Sequence, residues 1–183
     1  MQYTKPFVAD VKMLRERARQ HIQQGAVTPG YKGDRETVIE ILNEALATEI
    51  VCVLRYKRHQ YMARGIHAQS VAAEFAEHAA VEQQHMDKIA ERIVQLGGEP
   101  NYDPEGLATR SHSQYAEGQA LEDMIREDLI AERIVIDSYG DIIRYLGNDD
   151  PTTRVMMEGL LADEEEHAED LASLLQDIGR RSM

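Results

Sequence analysis

The chain has 183 residues, 43% of them hydrophobic, which is enough for a single domain with a substantial core and too apolar for a disordered chain. One cysteine, Cys52, excludes an intrachain disulfide; no run of about 18 apolar residues offers a membrane span, nothing N-terminal resembles a signal peptide, and the cytoplasm is the expected compartment. The net charge of −13 is uneven: residues 1–33 carry six Lys/Arg against two Asp/Glu and the rest 14 against 31, so the body repels nucleic acid and attracts cations.

Aromatics are sparse, at 5% with no Trp, while Ala, Leu, Ile, Glu, Gln and Met abound, a mixture that predicts an all-α protein. Phe7 to Gln24 reads as a short amphipathic helix with Val8, Val11, Leu14, Ala18 and Ile22 on one side, and Gly25 to Gly33 as a turn-rich link. Residues 1–33 thus form an N-terminal helical arm on a bundle of residues 34–183. Asp34 is placed to cap a first long helix that runs to about Arg64 and stops at Gly65. A second runs from Ser70 to Leu96 and ends at Gly97 and Gly98. The segment Gly98 to Glu117 holds Pro100, Pro104 and Gly106 and is long for a loop; a crossover along a helix bundle explains its length. The third helix spans Gln119 to Leu146. After Gly147 and Asn148, Asp150 as cap and Pro151 as first helical residue begin a fourth, which runs to about Asp177.

Each long helix carries a Glu on its apolar stripe. The first reads Leu42, Leu46, Glu49, Val53, Tyr56; the second Val71, Phe75, His78, Glu82, His85, Ile89, Arg92, Leu96. The third reads Leu121, Ile125, Asp128, Glu132, Val135, Tyr139, and the fourth Met157, Leu160, Glu164, His167, Leu171, Leu174, Ile178. A buried carboxylate without a partner is costly, so a common cause is needed for four. Glu82 with His85, and Glu164 with His167, stand at i and i+3, a spacing that brings both side chains to one ion. Counted from the two hairpin turns at 1.5 Å per residue, all four Glu lie roughly 22–26 Å deep, close to mid-bundle. Four carboxylates and two neutral imidazoles are balanced by two divalent cations, and mixed O and N donors suit iron or manganese. The candidate ligands are therefore Glu49, Glu82, His85, Glu132, Glu164 and His167. Tyr56, His78 and Asp128 share these stripes as candidate supporting residues.

The stretches LNEALATEIVCVLRY around Glu49, EQQHMDKIAERIVQLGGEPN around Glu82 and His85, DLIAERI around Glu132 and LADEEEH around Glu164 and His167 resemble the ferritin-like proteins, specifically the bacterioferritins, over residues 38–177. One Glu from each of two helices and Glu-x-x-His from the other two is the known ligand set of such bundles. The resemblance implies a ferritin-like four-helix bundle with one long crossover, a ferroxidase oxidising Fe(II) with O2 or H2O2, and an iron-storage role in a hollow homo-oligomeric shell. It also implies two iron ions per subunit, manganese being the other metal of suitable chemistry, with Glu82 and Glu164 bridging and Glu49 and Glu132 terminal. There are departures. Gln83 stands where bacterioferritins carry the haem-ligating Met, so no haem is expected by that route; no fifth helix follows the fourth, and the arm is an addition. These point to a dodecamer of the Dps-like type over a 24-mer. Two other readings are a di-metal peroxidase or catalase of rubrerythrin or manganese-catalase type without storage, and a Dps-like DNA-protecting shell. DNA binding would fall to the arm, against the charge of the body.

Overall fold

The computed structural model describes residues 8–66 and 68–181. Among them are six α-helices, one 3₁₀ turn and no strand: α1 (Val11–Arg17), α2 (Arg35–Met62), α3 (Ala68–Gln95), α4 (Leu107–Arg110), α5 (Leu121–Leu146) and α6 (Pro151–Arg181). Helices α2 and α3 pack along one another as one hairpin, α5 and α6 as another, and the two hairpins close into a four-helix bundle. No helix among the described residues is long and apolar enough to cross a membrane.

The helix ends follow from local chemistry. Asp34 accepts a hydrogen bond from Thr37 N at 3.4 Å, and Asp150 accepts one from Thr153 N at 2.9 Å with Pro151 in the first turn. Past α3, Gly97 takes a positive φ of 81°, and Gly98 N donates back to Ile93 O at 2.9 Å. These are the bonds of a Schellman stop, in which glycine avoids the left-handed penalty. A Cβ on Gly98 would meet Ile39 at 2.7 Å, so this glycine also lets the turn close on α2.

The bundle interior is two apolar clusters with a polar layer between them. At one end lie Leu42, Leu46, Ile89, Ile93, Tyr139, Ile142, Met157 and Leu160; at the other lie Val71, Phe75, Met124, Ile125 and Leu171. Burial of these side chains, at about 25 cal/mol per Å² of apolar surface, is what holds the helices together. It also fixes the depth of the residues between.

The connection between α3 and α5 is an ordered strap along α2. Asn43 Oδ1 accepts from Asn101 N at 2.7 Å, Thr48 Oγ1 from His112 N at 2.9 Å, and Arg55 Nη1 donates to Gln114 O at 2.8 Å. Asp128 on α5 then takes Arg55 Nε and His59 Nδ1, each at 2.8 Å, with all three side chains buried. The crossover expected at 98–117 is present, and it contains the short α4, for which the sequence showed no helical pattern.

Two expectations need correction. The arm helix stops at Arg17 instead of Gln24, after which His21 adopts a φ of 50° and only a 3₁₀ turn follows; the expected start at Phe7 lies outside the described residues. No residue of α1 is buried, with Val11 and Leu14 both 50% exposed, and a helix this short without tertiary support does not propagate. The link behind it is docked: Tyr31 donates to Asp150 Oδ2 at 2.9 Å, and Val27 packs on the core. Burial, then Asp150, push the Tyr31 hydroxyl pKa up to about 12. Helix α6 runs to Arg181, past Asp177, because Leu174, Leu175 and Ile178 pack on the second cluster and carry the helix onward.

Removing Asp128 leaves the Arg55 guanidinium buried beside His59 with no anion. Asp128→Ala is expected to lower unfolding stability by about 3–5 kcal/mol in denaturant titrations. Asp141→Ala, which breaks an ion pair 71% and 79% exposed, is the control that leaves the midpoint in place.

Candidate metal centre

All six expected ligands lie in the polar layer and are brought together: Glu49 from α2, Glu82 and His85 from α3, Glu132 from α5, Glu164 and His167 from α6. Their donor atoms form two overlapping groups. Glu49, Glu82, His85 and Glu164 make one, and Glu82, Glu132, Glu164 and His167 the other, with donors in each within 4.8 Å of one another. Glu82 and Glu164 belong to both.

His85 Nδ1 stands 3.0 Å from Glu164, 3.3 Å from Glu82 and 3.8 Å from Glu49, and His167 Nδ1 stands 3.4 Å from Glu82 and 3.5 Å from Glu164. Two ligands about 2.1 Å from a common ion are about 3.0–3.4 Å apart at octahedral and tetrahedral angles, so these spacings fit shared coordination. Both oxygens of Glu82, one each of Glu49, Glu132 and Glu164, and His167 Nδ1 are buried without a hydrogen-bond partner. Orphaned acceptors in such number are foreign to a finished protein interior and fit a cation-binding site.

The remaining bonds orient the ligands. Tyr56 Oη donates to Glu132 and Tyr139 Oη to Glu49, and His85 turns Nε2 to Asp163 at 3.0 Å. A partner on the far nitrogen fixes the ring and makes the imidazole more basic. Of the three expected supporting residues, Tyr56 touches Glu132 directly. His78 reaches Tyr56 Oη through Nδ1 at 3.2 Å and stacks on His167 with ring centroids 4.0 Å apart. Asp128 is committed to Arg55 and His59. Tyr139 was not singled out from the sequence; it lies seven residues after Glu132, as Tyr56 lies seven after Glu49, and that repeat was the available signal.

Protons balance the charge when no metal is bound. Burial, then the charge of Glu82, raises the Glu49 pKa to about 8, and burial with Glu82 and Glu164 raises that of Glu132 well above the usual carboxylate range. For Glu82, burial and Glu164 act upward, but the proton-bearing neighbours Glu49, His167 and His85 win and lower it. Burial acts downward on both cluster histidines, yet their carboxylate partners prevail, taking His167 to about 10 and raising His85 as well. Burial and the His167 charge lower His78 to about 3, keeping it neutral.

A four-helix bundle with a buried carboxylate and histidine cluster at its centre has the donor set of a helical metal-binding protein, and its relatives narrow the class. Residues 39–181 match the family model described as a ferritin-like domain. The chain belongs to the ferritin-like family. It is 30% identical to a bacterioferritin of Mycobacterium bovis, over 79% of this chain and 87% of the relative. Among solved structures, the dodecameric thioferritin of Bacteroides fragilis, a bacterioferritin-related protein, superposes with a TM-score of 0.79 at 32% identity, covering 82% of this chain and 91% of that one. Dps from Thermosynechococcus elongatus shares the fold at TM-score 0.74 and 22% identity, over 76% and 90%.

Glu49, Glu132, His85 and His167 hold protons at neutral pH, so binding of divalent cations must expel them. Titrating metal-free protein with Mn(II) at pH 7 in weak buffer should release up to four protons per chain, read by an indicator dye. The sign for stability follows too. His167 stabilises the metal-free fold fully below the unfolded value of about 6.5 and loses this as pH rises through about 10, while neutral Glu49 becomes costly above its unfolded value near 4.5 and up to about 8. The metal-free melting temperature should therefore fall from pH 6 to pH 9, and a rise would contradict the charge balance.

Proposed function

We propose that this protein is a ferroxidase and iron-storage or detoxification protein whose substrate, Fe(II), is bound in pairs by Glu49, Glu82, His85, Glu132, Glu164 and His167. The observation that carries this reading is the overlap of two four-donor groups on Glu82 and Glu164, which suits a bridged pair of ions. Glu49 and His85 complete one position, Glu132 and His167 the other. Mixed carboxylate and imidazole donors suit iron, with manganese next by the same chemistry.

Two adjacent Fe(II) ions supply one electron each, so H2O2 and two protons become two waters without a one-electron oxygen species, and O2 can likewise take both electrons at once. The chain does the rest. Six side chains held by packed helices set the spacing before iron arrives, and the hydroxyls of Tyr56 and Tyr139 keep Glu132 and Glu49 turned inward. Asp163 fixes the His85 ring so that Nδ1 faces the cluster. Four of the six residues carry protons that leave as iron binds, so loading is easier as pH rises through neutrality.

Storage requires a closed shell. The likeness to the dodecameric thioferritin supports twelve subunits, and the acidic body is suited to drawing in cations.

Anaerobic loading with Fe(II) followed by air should give a ferric absorbance, absent in Glu82→Ala and slowed about ten- to a hundredfold in Tyr56→Phe and Tyr139→Phe. A native rate in Glu82→Ala would sink the assignment of the site. Light scattering separates storage from a peroxidase without storage: the mass of twelve chains is expected, and a stable dimer would remove the shell.

A further inference from the structure

Helix α1 is amphipathic and has nothing against its apolar side. Val11 and Leu14 stand at i and i+3, each 50% exposed, and Val8 before them is 83% exposed. Around them Lys12, Arg15 and Arg17 set three positive charges against the one negative charge of Glu16, and none of the three basic side chains is in an ion pair among the described residues. A helix of seven residues draws its stability from a cover over its apolar side and not from its own bonds.

The complement of this surface lies on the second hairpin. A cleft of about 460 Å³ between α5 and α6 is lined by the half-buried Leu129, Ile136, Ala168 and Ala172. On its edges Asp137, Glu165 and Glu169 set three negative charges against the one positive charge of Arg133, and none of these acids is in an ion pair among the described residues. The charges of α1 and of the cleft are thus mirror images. Their lengths agree as well: Leu129 to Ile136 covers seven residues of α5, about 10 Å, and α1 has seven residues. Ala168 and Ala172, one turn apart, present short side chains over which Val11 and Leu14 can lie.

The arm does not reach this cleft on its own chain. Tyr31 is fastened to Asp150 at the start of α6, and Arg17 Nη1 lies beside Gly30, so α1 departs from that end of the bundle. Glu165 stands fifteen residues along α6 from Asp150, about 22 Å, twice the length of α1. A polyanion such as DNA would satisfy Lys12, Arg15 and Arg17 through its phosphates but leave Val11 and Leu14 in water. A second copy of the chain answers both the charge and the apolar side.

We infer that α1 of one chain docks in the α5–α6 cleft of a second copy, with Val11 and Leu14 over Ala168 and Ala172, and with Lys12, Arg15 and Arg17 facing Asp137, Glu165 and Glu169. Glu16 then falls to Arg133. Each chain donates one arm and accepts one, a heterologous contact that runs head to tail. Seven residues bury far less than the roughly 1,200–2,000 Å² of a self-sufficient interface, so the arm reinforces chains already side by side. Docking of Val27 and Tyr31 on their own bundle fixes the root of the arm and confines its search. The contact uses no residue of the metal cluster and does not depend on the chemistry proposed there.

Zero-length crosslinking of the full-length protein with a water-soluble carbodiimide tests this. Multimer bands on a denaturing gel should yield peptides that join Lys12 to Asp137, Glu165 or Glu169. The Val11→Ser/Leu14→Ser variant, which keeps every charge, should lose this link, and so should the native protein in about 1 M NaCl, where the Debye length is about 3 Å. Finding the link only in single-chain bands would place the arm in its own cleft, and finding none would leave the cleft bare. Persistence of the link in Val11→Ser/Leu14→Ser would reduce the contact to charge alone. Each of these overturns the docking, as would an unlinked arm that shifts duplex DNA on a native gel.

Discussion

Four glutamates at the centre of a helical bundle, each no more than 1% exposed, are the constraint on which the structure depends. Taking even one carboxylate out of water costs several kcal/mol, and Coulomb repulsion between neighbours adds to that in a medium of low polarity. The fold accepts this only because positive charge is available at the same point: protons on Glu49, Glu132 and the two histidines when no metal is bound, and divalent cations under the proposed function. The apolar clusters above and below the layer make the cost unavoidable, since they shut out water that would otherwise solvate the oxygens.

The two buried arginines, Arg55 and Arg92, are kept apart from that layer. Arg55 is spent on Asp128 and on the crossover, and Arg92 on Asp150 and Thr153 at the start of α6. Each guanidinium meets an aspartate of another helix, so α2 is tied to α5 and α3 to α6 on either side of the cluster. Had either Arg reached a cluster glutamate, it would have supplied the positive charge that the layer otherwise takes from protons or, under the proposed function, from metal ions. The pairing of each Arg with an Asp is therefore what leaves the glutamates free for the cations of the proposed function. It also explains why the crossover is ordered over so many residues without regular structure, since Arg55, Arg58 and His59 all bond to its backbone.

This division decides what could be seen in the sequence. The four long helices, their glycine and proline boundaries and the convergence of Glu49, Glu82, Glu132 and Glu164 all follow from a 3.6-residue period and a count of residues from each turn. Asp128 shares the stripe of Glu132, but its partners Arg55 and His59 come from another helix at separations of 73 and 69 residues, and no local pattern announces them. The arm failed in the opposite direction. Its apolar spacing is helical, yet no surface among the described residues buries it, and periodicity alone does not sustain a helix in water.

The two hairpins are near repeats, and their differences matter more than their likeness. Each supplies a tyrosine seven residues after its first glutamate, and each tyrosine crosses the bundle to the glutamate of the other hairpin, so neither half of the layer is oriented without its partner. The symmetry breaks one residue before the second glutamate. Asp163 precedes Glu164 and receives His85 Nε2 at 3.0 Å, whereas Val81 precedes Glu82 and offers nothing to His167, whose ring lies on His78 instead. An imidazole with a carboxylate on its far nitrogen is the stronger donor. Of the two positions in the proposed pair, the one shared by Glu49 and His85 is thus built for the tighter hold. The one shared by Glu132 and His167 stands beside an acidic cleft between α3 and α6 that opens to solvent, where exchange is easiest. A centre that must take in ions and release them needs that inequality, since two equally tight positions would retain what they bind.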